Sequence, residues 1–372
     1  MKILQICSHL SERGTGAEKF CLELSTRLSQ QRNAQVAIAS DFEAGINKKF
    51  LNIKFFKLSQ ERNKIKRKIF LDYFNKKNLD KIKLILAEFK PDIIHFHNVY
   101  GIGSNLIRYC SQKNKTVATV HDCWPFNYDG TIIDSSYVIT NNFYKFPLAW
   151  LHLLINRLNY KEAILVSPSK WLKEYLVNIG KFKKVINIPN GIRLGNTLTK
   201  YNKEILWVGR LSNEKGIAEI CPLLEEIQNI TDWQVNIIGD GPLGAYLRNK
   251  YPKLNFVGFT KPEEYYKRAS IQIVSSVCFE NFPYTVIEGM SYGLCVVGND
   301  TGGIKELIKD NVNGLKYKHP AELKGILLPL INNPERIRAI GAKAREFVQQ
   351  FSWSNCLDQY IELYNYILRS DV

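Results

Sequence analysis

Short apolar runs alternate with longer amphipathic ones along this chain, and past its middle the alternation begins again. Ile3–Ser8 reads as a strand and Ala17–Gln30 as a helix. Val36–Ser40 is a further strand, and Lys77–Phe89 a helix with apolar residues at helical spacing. Ile93–Phe96, Val117–Val120 and Ala163–Ser167 continue as strands. The second round runs through strand Glu204–Val208, helix Gly216–Gln228, strand Val235–Ile238 and helix Leu243–Lys250. Leu254–Val257, Ile271–Val274 and Cys295–Gly298 follow as strands. Near-continuous apolar strands are those covered on both faces, so this β-α-β-α rhythm predicts parallel sheets with helices on each side. Two rounds suit a length of 372 residues, enough for two domains that each bury a core.

The fold class expected is therefore α/β, with two Rossmann-like doubly wound domains facing across a cleft. Pro189-Asn190-Gly191-Ile192-Arg193-Leu194-Gly195-Asn196 is rich in turn residues, which places a hinge near 190–203. The first domain is expected over 1–195 and the second over 203–352. Ligands of such sheets sit beyond the carboxyl ends of the strands, so the site belongs in the cleft. Pro334–Gln350 and Ser354–Leu368 read as closing helices, with Pro334 in a first turn and Ser354 as an N-cap. The tract between Trp124 and Ser167 shows no regular period.

Composition narrows the class of function. Hydrophobic content of 45% and charged content of 23% exclude a fibrous or disordered chain. The first ten residues lack the long apolar core of a signal peptide. The longest apolar candidate, Phe146–Ile155, is far short of the ~20 residues a membrane helix needs, and a cytoplasmic protein is expected. The eight cysteines are scattered, with no C-x-x-C pair, as for reduced and mostly buried thiols.

The net charge of +16 draws the chain toward anions. Fourteen Lys and Arg against four Asp and Glu fall between Asn47 and Lys90, interleaved with Phe50, Phe55, Phe56, Phe70, Tyr73 and Phe74. That segment is either a peripheral contact with an anionic membrane or a solvated helix face with its aromatics turned inward.

Three loops carry candidate chemistry. Gly14-Thr15-Gly16-Ala17-Glu18 follows the first strand and opens a helix, where backbone N–H groups can approach an anion. It is not G-x-G-x-x-G, and no acidic residue about twenty positions on ends a second strand, which disfavours a dinucleotide oxidoreductase. Val208-Gly209-Arg210-Leu211-Ser212-Asn213-Glu214-Lys215-Gly216 sets a planar cation and a point cation between strand and helix, suited to a diphosphate that gains negative charge as it leaves. The third loop, Glu280-Asn281-Phe282-Pro283-Tyr284-Thr285-Val286-Ile287-Glu288, carries two carboxylates eight apart. Glu280 is expected in a loop. Glu288 is expected in the first turns of the next helix, where it could simply complement the dipole.

In order and spacing these loops resemble those of the GT-B retaining glycosyltransferases of family 4. The resemblance covers nearly the whole chain. It takes in Val120-His121-Asp122-Cys123-Trp124-Pro125, Ser167-Pro168-Ser169-Lys170-Trp171, Ile188-Pro189-Asn190-Gly191, Ile237-Ile238-Gly239-Asp240-Gly241-Pro242 and Gly302-Gly303-Ile304-Lys305-Glu306. It implies an acceptor-binding first domain, onto which the terminal helix, about 353–372, packs back. It also implies a nucleotide-sugar-binding second domain.

Arg210 and Lys215 resemble the family's diphosphate grip. Glu280 resembles the first Glu of its E-x7-E motif, beside the reacting carbon, and Glu288 the second, on the ribose hydroxyls. Backbone around Phe282, Thr285 and Val286 would meet sugar and phosphates. Gly14 and Gly16 lie in the loop that closes over the phosphates. His121 resembles the histidine facing the donor sugar and reaction centre. His121, Arg210, Lys215 and Glu280 thus stand as catalytic candidates.

Pro283 departs from the pattern, since it has no N–H to offer. His95 and His97 share a strand face without an evident third ligand, and are read as strand-end residues lining the acceptor side. No D-x-D is present, so neither metal nor cofactor is expected. The implied activity is transfer of a hexosyl group from a UDP-sugar, or secondly GDP-mannose, to a lipid-linked or oligosaccharide acceptor in cell-surface polysaccharide or lipopolysaccharide synthesis. A nucleotide-sugar epimerase of the same architecture and a basic nucleic-acid-binding protein are the alternatives. No recognised nucleic-acid motif supports the latter.

Overall fold

The computed structural model describes residues 1–11, 16–50, 52–63, 72–127, 146–195 and 201–370. The described residues divide into two compact units. The first holds 1–127, 146–191 and 354–370, and the second 192–195 and 201–353.

In chain order the first unit contains β1 (Lys2–Leu10), α1 (Gly16–Ser29), β2 (Gln35–Phe42), α2 (Ile46–Lys49), β3 (Ile53–Lys57), α3 (Lys76–Phe89) and β4 (Ile93–Phe96). It continues with α4 (Asn105–Ser111), β5 (Thr116–Thr119), α5 (Phe146–Tyr160), β6 (Ile164–Ser167), α6 (Lys170–Ile179) and β7 (Lys184–Asn187). Among the described residues seven strands pair in parallel in the order β3-β2-β1-β4-β5-β6-β7. β4, β5 and β6 are buried at every residue, as expected of strands covered on both faces.

The second unit contains β8 (Glu204–Val208), α7 (Ile217–Ile230), β9 (Gln234–Ile238), α8 (Gly244–Lys250), β10 (Asn255–Gly258), α9 (Glu263–Tyr266) and β11 (Ile271–Val274). It closes with α10 (Tyr284–Ser291), β12 (Cys295–Asn299), α11 (Gly302–Leu307), β13 (Leu315–Tyr317), α12 (Glu322–Ile331) and α13 (Pro334–Val348). Among the described residues six parallel strands run β10-β9-β8-β11-β12-β13. Ile205, Trp207, Ile237, Ile273 and Val297 fill one core, and Val274, Val286, Met290, Val296 and Ile304 fill another.

Both sheets reverse direction once, between β1 and β4 and between β8 and β11. Chain leaving neighbouring strands at such a switch point departs to opposite faces, and a crevice opens at their carboxyl ends. The terminal helix α14 (Trp353–Arg369) belongs to the first unit from Ser354 onward. Its Tyr364 hydroxyl lies 2.7 Å from His95 Nδ1 and its Tyr360 hydroxyl 3.0 Å from Thr119 Oγ1. Lys115 Nζ donates to its last carbonyls, Ile367 O at 2.7 Å and Leu368 O at 2.9 Å.

The structure departs from the sequence reading in identifiable places. β3, β7 and β13 carry no strong strand signal. All three are edge strands bearing lysine (IKFFK, KVIN and LKY), and charge on an edge blocks further pairing at the expense of an apolar pattern. Within 124–167 a fifteen-residue helix, α5, stands where no period was legible. Ser354 lies inside α14 and is not its cap, because the helix begins at Trp353. Pro334 does open α13, behind Asn333, whose Oδ1 accepts the N–H of Arg336 at 2.9 Å. All eight cysteines are free and buried. No helix among the described residues is long and apolar enough to cross a membrane.

Candidate functional site

The loops that leave β8 and β11 meet at the second unit's switch point. After β8 the chain bends through Gly209 and Arg210 into a 3-10 turn, Asn213–Lys215, and enters α7 through Gly216. Gly216 has φ +63°, and a Cβ there would stand 2.1 Å from the Ser275 carbonyl oxygen, so only glycine lets this loop lie against the one after β11. Ser275 Oγ donates to Lys215 O at 2.7 Å and accepts Trp207 Nε1–H at 2.9 Å.

Behind Arg210, the Gly239-Asp240-Gly241 turn supports the loop. Leu211 N–H donates to Asp240 O at 3.1 Å, and Gly209 N–H to Ile238 O at 2.9 Å. Gly239, at φ +131°, passes so close that a Cβ would meet Gly209 O at 1.8 Å.

This scaffold brings Lys215 onto Glu280 in a salt bridge, and Ser276 Oγ donates to the same carboxylate oxygen, Oε1, at 2.7 Å. Burial pulls the Lys215 pKa down, but attraction to Glu280 and their hydrogen bond outweigh it, and the net shift is upward. Lys215 is therefore a fixed cation. Arg210 is exposed and makes no ion pair among the described residues. The Glu280 loop is held from the far side by Gly303, whose N–H donates to Glu280 O at 2.7 Å.

Glu288 is the fifth residue of α10, past the first turn, so it does not serve the helix dipole. Its Oε2 accepts the Tyr266 hydroxyl at 3.1 Å, and Tyr266 stacks on Tyr292 with ring centroids 5.4 Å apart. Phe282 and Val286 turn their side chains into the core, which leaves backbone as their polar surface, and the Val286 N–H is taken by Pro283 O at 3.1 Å. Thr285 O accepts Gln272 Nε2 at 3.0 Å.

In the first unit His121 follows β5, and its Nε2 lies 3.2 Å from His97 Nδ1. His97 Nε2 is 2.7 Å from Gln5 Oε1. Burial pushes the His121 pKa down to about 3 and holds His95 and His97 well below the usual imidazole range. All three are neutral at physiological pH. His95 and His97 do not line an acceptor surface: both are buried, and His95 is bound between Tyr364 and Thr119 Oγ1, 2.8 Å away. Gly16 is exposed at the start of α1, and Gly14 lies outside the described residues. Among the described residues no three His, Cys, Asp or Glu are grouped to hold a metal ion.

Sequence reasoning missed Trp207, Ser275, Ser276 and Gln5, since a serine or tryptophan in a strand-loop segment gives no sign of what it will touch.

Of the basic tract, 51 and 64–71 lie outside the described residues. The described aromatics mostly pack inward: Phe55 meets Phe42 and Phe56 meets Phe89, with centroids 5.5 and 6.4 Å apart. Lys54 pairs with Glu88 at 2.6 Å and Lys57 with Asp41 at 2.9 Å.

Comparison with known proteins places this geometry. Residues 14–195 match the family described as Glycosyltransferase Family 4, and residues 202–333 match Glycosyl transferases group 1. An uncharacterized glycosyltransferase of Methanocaldococcus jannaschii is 26% identical over 324 residues, spanning 78% of this chain and 79% of the relative. A GDP-mannose-dependent alpha-mannosyltransferase of Corynebacterium glutamicum is 32% identical over 171 residues, 44% of this chain and 39% of the relative. Other relatives are named for amylovoran biosynthesis and as a lipopolysaccharide N-acetylglucosaminetransferase. The chain spans about half the length of several of the curated relatives it matches. Among solved structures, Anabaena HepE in complex with UDP superposes with a TM-score of 0.74 at 16% identity, covering 98% of this chain and all of that one. With two doubly wound units, the loops at their switch points and both family matches in agreement, the chain belongs to the family 4 glycosyltransferases of GT-B fold and is a transferase enzyme.

Proposed function

We propose that the chain moves a hexosyl group, with retention of configuration, from a nucleoside-diphosphate sugar to a lipid-linked or saccharide acceptor. The setting would be assembly of cell-surface polysaccharide or lipopolysaccharide at the inner face of the cytoplasmic membrane. The observation that carries this is the charge arrangement at the β8/β11 switch point. There an exposed Arg210 without an ion pair follows the same strand as a Lys215 locked to Glu280.

The bond between the anomeric carbon and the phosphate oxygen breaks, and the departing nucleoside diphosphate gains negative charge. Arg210 offers a planar fork of donors to that charge and Lys215 a point cation, so the step draws on fixed cations and not on a metal. The acceptor hydroxyl attacks the same face, and the leaving phosphate takes its proton. Glu280, with two donors already on Oε1, is set to hold sugar hydroxyls beside the reacting carbon, and Glu288 the ribose hydroxyls. Phosphates would also meet Gly14, Gly16 and backbone around Phe282, Thr285 and Val286. His121, neutral because of burial, would hold a donor-sugar hydroxyl and not deliver a proton. Support for UDP-hexose as first choice comes from the UDP-bound relative in fold, and for GDP-mannose as second from the mannosyltransferase relative.

The test is thermal stabilisation by a nucleotide panel in EDTA. A ligand at a hundred times its dissociation constant adds about 2.7 kcal/mol. A selective shift with UDP or GDP that Arg210→Ala abolishes is the expected result. No shift with any nucleoside diphosphate would sink the reading.

A further inference from the structure

Helix α5 is built inside out. The face turned into its unit carries His152, Asn156, Asn159 and Tyr160, all buried. His152 Nε2 lies 2.7 Å from Trp124 O and its Nδ1 2.9 Å from the Tyr73 hydroxyl, while Asn159 Nδ2 donates to Ser104 Oγ at 2.8 Å. The opposite face carries Trp150, Leu151, Leu154 and Leu158, between 37% and 56% exposed, and Leu148 is exposed at the helix start. Leu151, Leu154 and Leu158 fall at i, i+3 and i+7, one stripe. Single exposed apolar residues are ordinary, but four on one helix face mark a surface meant to be covered.

The charges around the stripe say by what. The helix has no acidic residue, and Arg157 lies in its last turn. Beyond it Lys161 is exposed, and Lys183 N–H donates to Lys161 O at 3.0 Å, which brings the exposed Lys181, Lys183 and Lys184 to that end. Glu162 stands 3.7 Å from Lys161 Nζ and offsets one of these charges. At the other side the Tyr73–His152 contact brings up Phe74, 43% exposed, and the exposed Lys76 and Lys77. An apolar stripe bounded by lysines fits acyl chains beneath a layer of phosphates. Fifteen residues span about 22 Å, too short to cross a bilayer but suited to lie in its plane.

We propose that α5 is a membrane-docking helix, lying in an anionic lipid surface with Leu151, Leu154 and Leu158 among the acyl chains and Trp150 at the boundary. The flanking lysines sit on headgroup phosphates. The contact is thereby centred on 146–160. Of the 47–90 tract it draws on Phe74, Lys76 and Lys77, while Phe55 and Phe56 pack inward. It stands independently of the sugar-transfer reading.

The test is co-sedimentation of the full chain with phosphatidylcholine vesicles, with and without phosphatidylglycerol. The chain should bind mixed vesicles at least about ten-fold tighter than neutral ones, and each removed lysine charge, as in Lys161→Gln or Lys183→Gln, should weaken binding about five-fold. Leu151→Glu with Leu154→Glu should abolish binding, whereas Leu84→Glu, on the 72% exposed Leu84 of α3, should leave it unchanged. Brominated lipid should quench fluorescence in the unmodified chain, and Trp150→Phe should remove that quenching, a readout that holds even if the double variant misfolds. Failure to bind mixed vesicles, or equal binding by a folded double variant, overturns the proposal. A dimer that the double variant splits, without vesicle binding, overturns it in favour of a second copy of the chain.

Discussion

The two units share one topology and put opposite electrostatics at their switch points. In the second, the loops after β8 and β11 hold an exposed arginine and a lysine–carboxylate ion pair. In the first, switched between β1 and β4, His97 follows β4 and bonds Gln5 of β1, with His121 after β5 against its other nitrogen, and burial keeps both histidines neutral. Sheet topology settles where a ligand can sit, while the side chains at the strand ends settle what it must be. A charged crevice suits a diphosphate, whereas the buried and neutral His97 is spent on hydrogen bonds within its own unit.

The sharpest way to break this comparison is to remove charge from one side only. Arg210→Ala or Lys215→Ala should cost about 3 to 4 kcal/mol of transition-state stabilisation, a loss of 10²–10³-fold in kcat measured with the preferred nucleotide sugar. Near-normal turnover in either variant would end the assignment.

Next in size is Gly216→Ala, which adds a Cβ at φ +63° against the Ser275 carbonyl. It should destabilise the second unit by about 2 kcal/mol or more, seen as a lower Tm, because the left-handed conformation alone costs 1–2.

The comparison also predicts opposite pH limbs. His95, His97 and His121 have pKa values lowered by burial, so below about 6.5 the unfolded chain binds protons that the folded one refuses. Their contribution is present above that pH and declines as pH falls toward the folded values, by about 1.4 kcal/mol per histidine per pH unit. Lys215 has a raised pKa, so its contribution is full below the unfolded lysine value and is lost as pH rises through the folded one. Hydrogen exchange resolved by segment should find the first unit loosening in acid and the Lys215 loops in base. Loosening of both units together on both limbs would contradict this division.

The smallest effect expected is from Tyr364→Phe. It removes the hydroxyl at His95 Nδ1 and should cost about 1 kcal/mol in denaturant unfolding while leaving nucleotide binding in the second unit unchanged.

Much of this was legible in the one-dimensional chain. Strands buried on both faces must be largely apolar, so β4, β8 and β11 stand at the residues their composition predicts, each with a single polar residue. Loops after such strands are where chemistry can be placed, which singled out Arg210 and Lys215 as candidates by type, whereas Glu280 and His121 became candidates through the resemblance to family 4. Edge strands were not legible, because lysine there breaks the apolar run. Nor was α5, since its buried face is polar and its apolar face points to solvent, so a search for helical period finds the wrong side inward. Sequence by itself thus determined the two parallel-sheet units and the residue types at their switch points, because both follow from local pattern. Only tertiary structure decided that Lys215 pairs with Glu280 across 65 positions, that His95 is locked to Tyr364 across 269, and that neighbouring histidines are neutral. Burial and hydrogen bonding between distant segments belong to the packed chain, and no window of residues contains them.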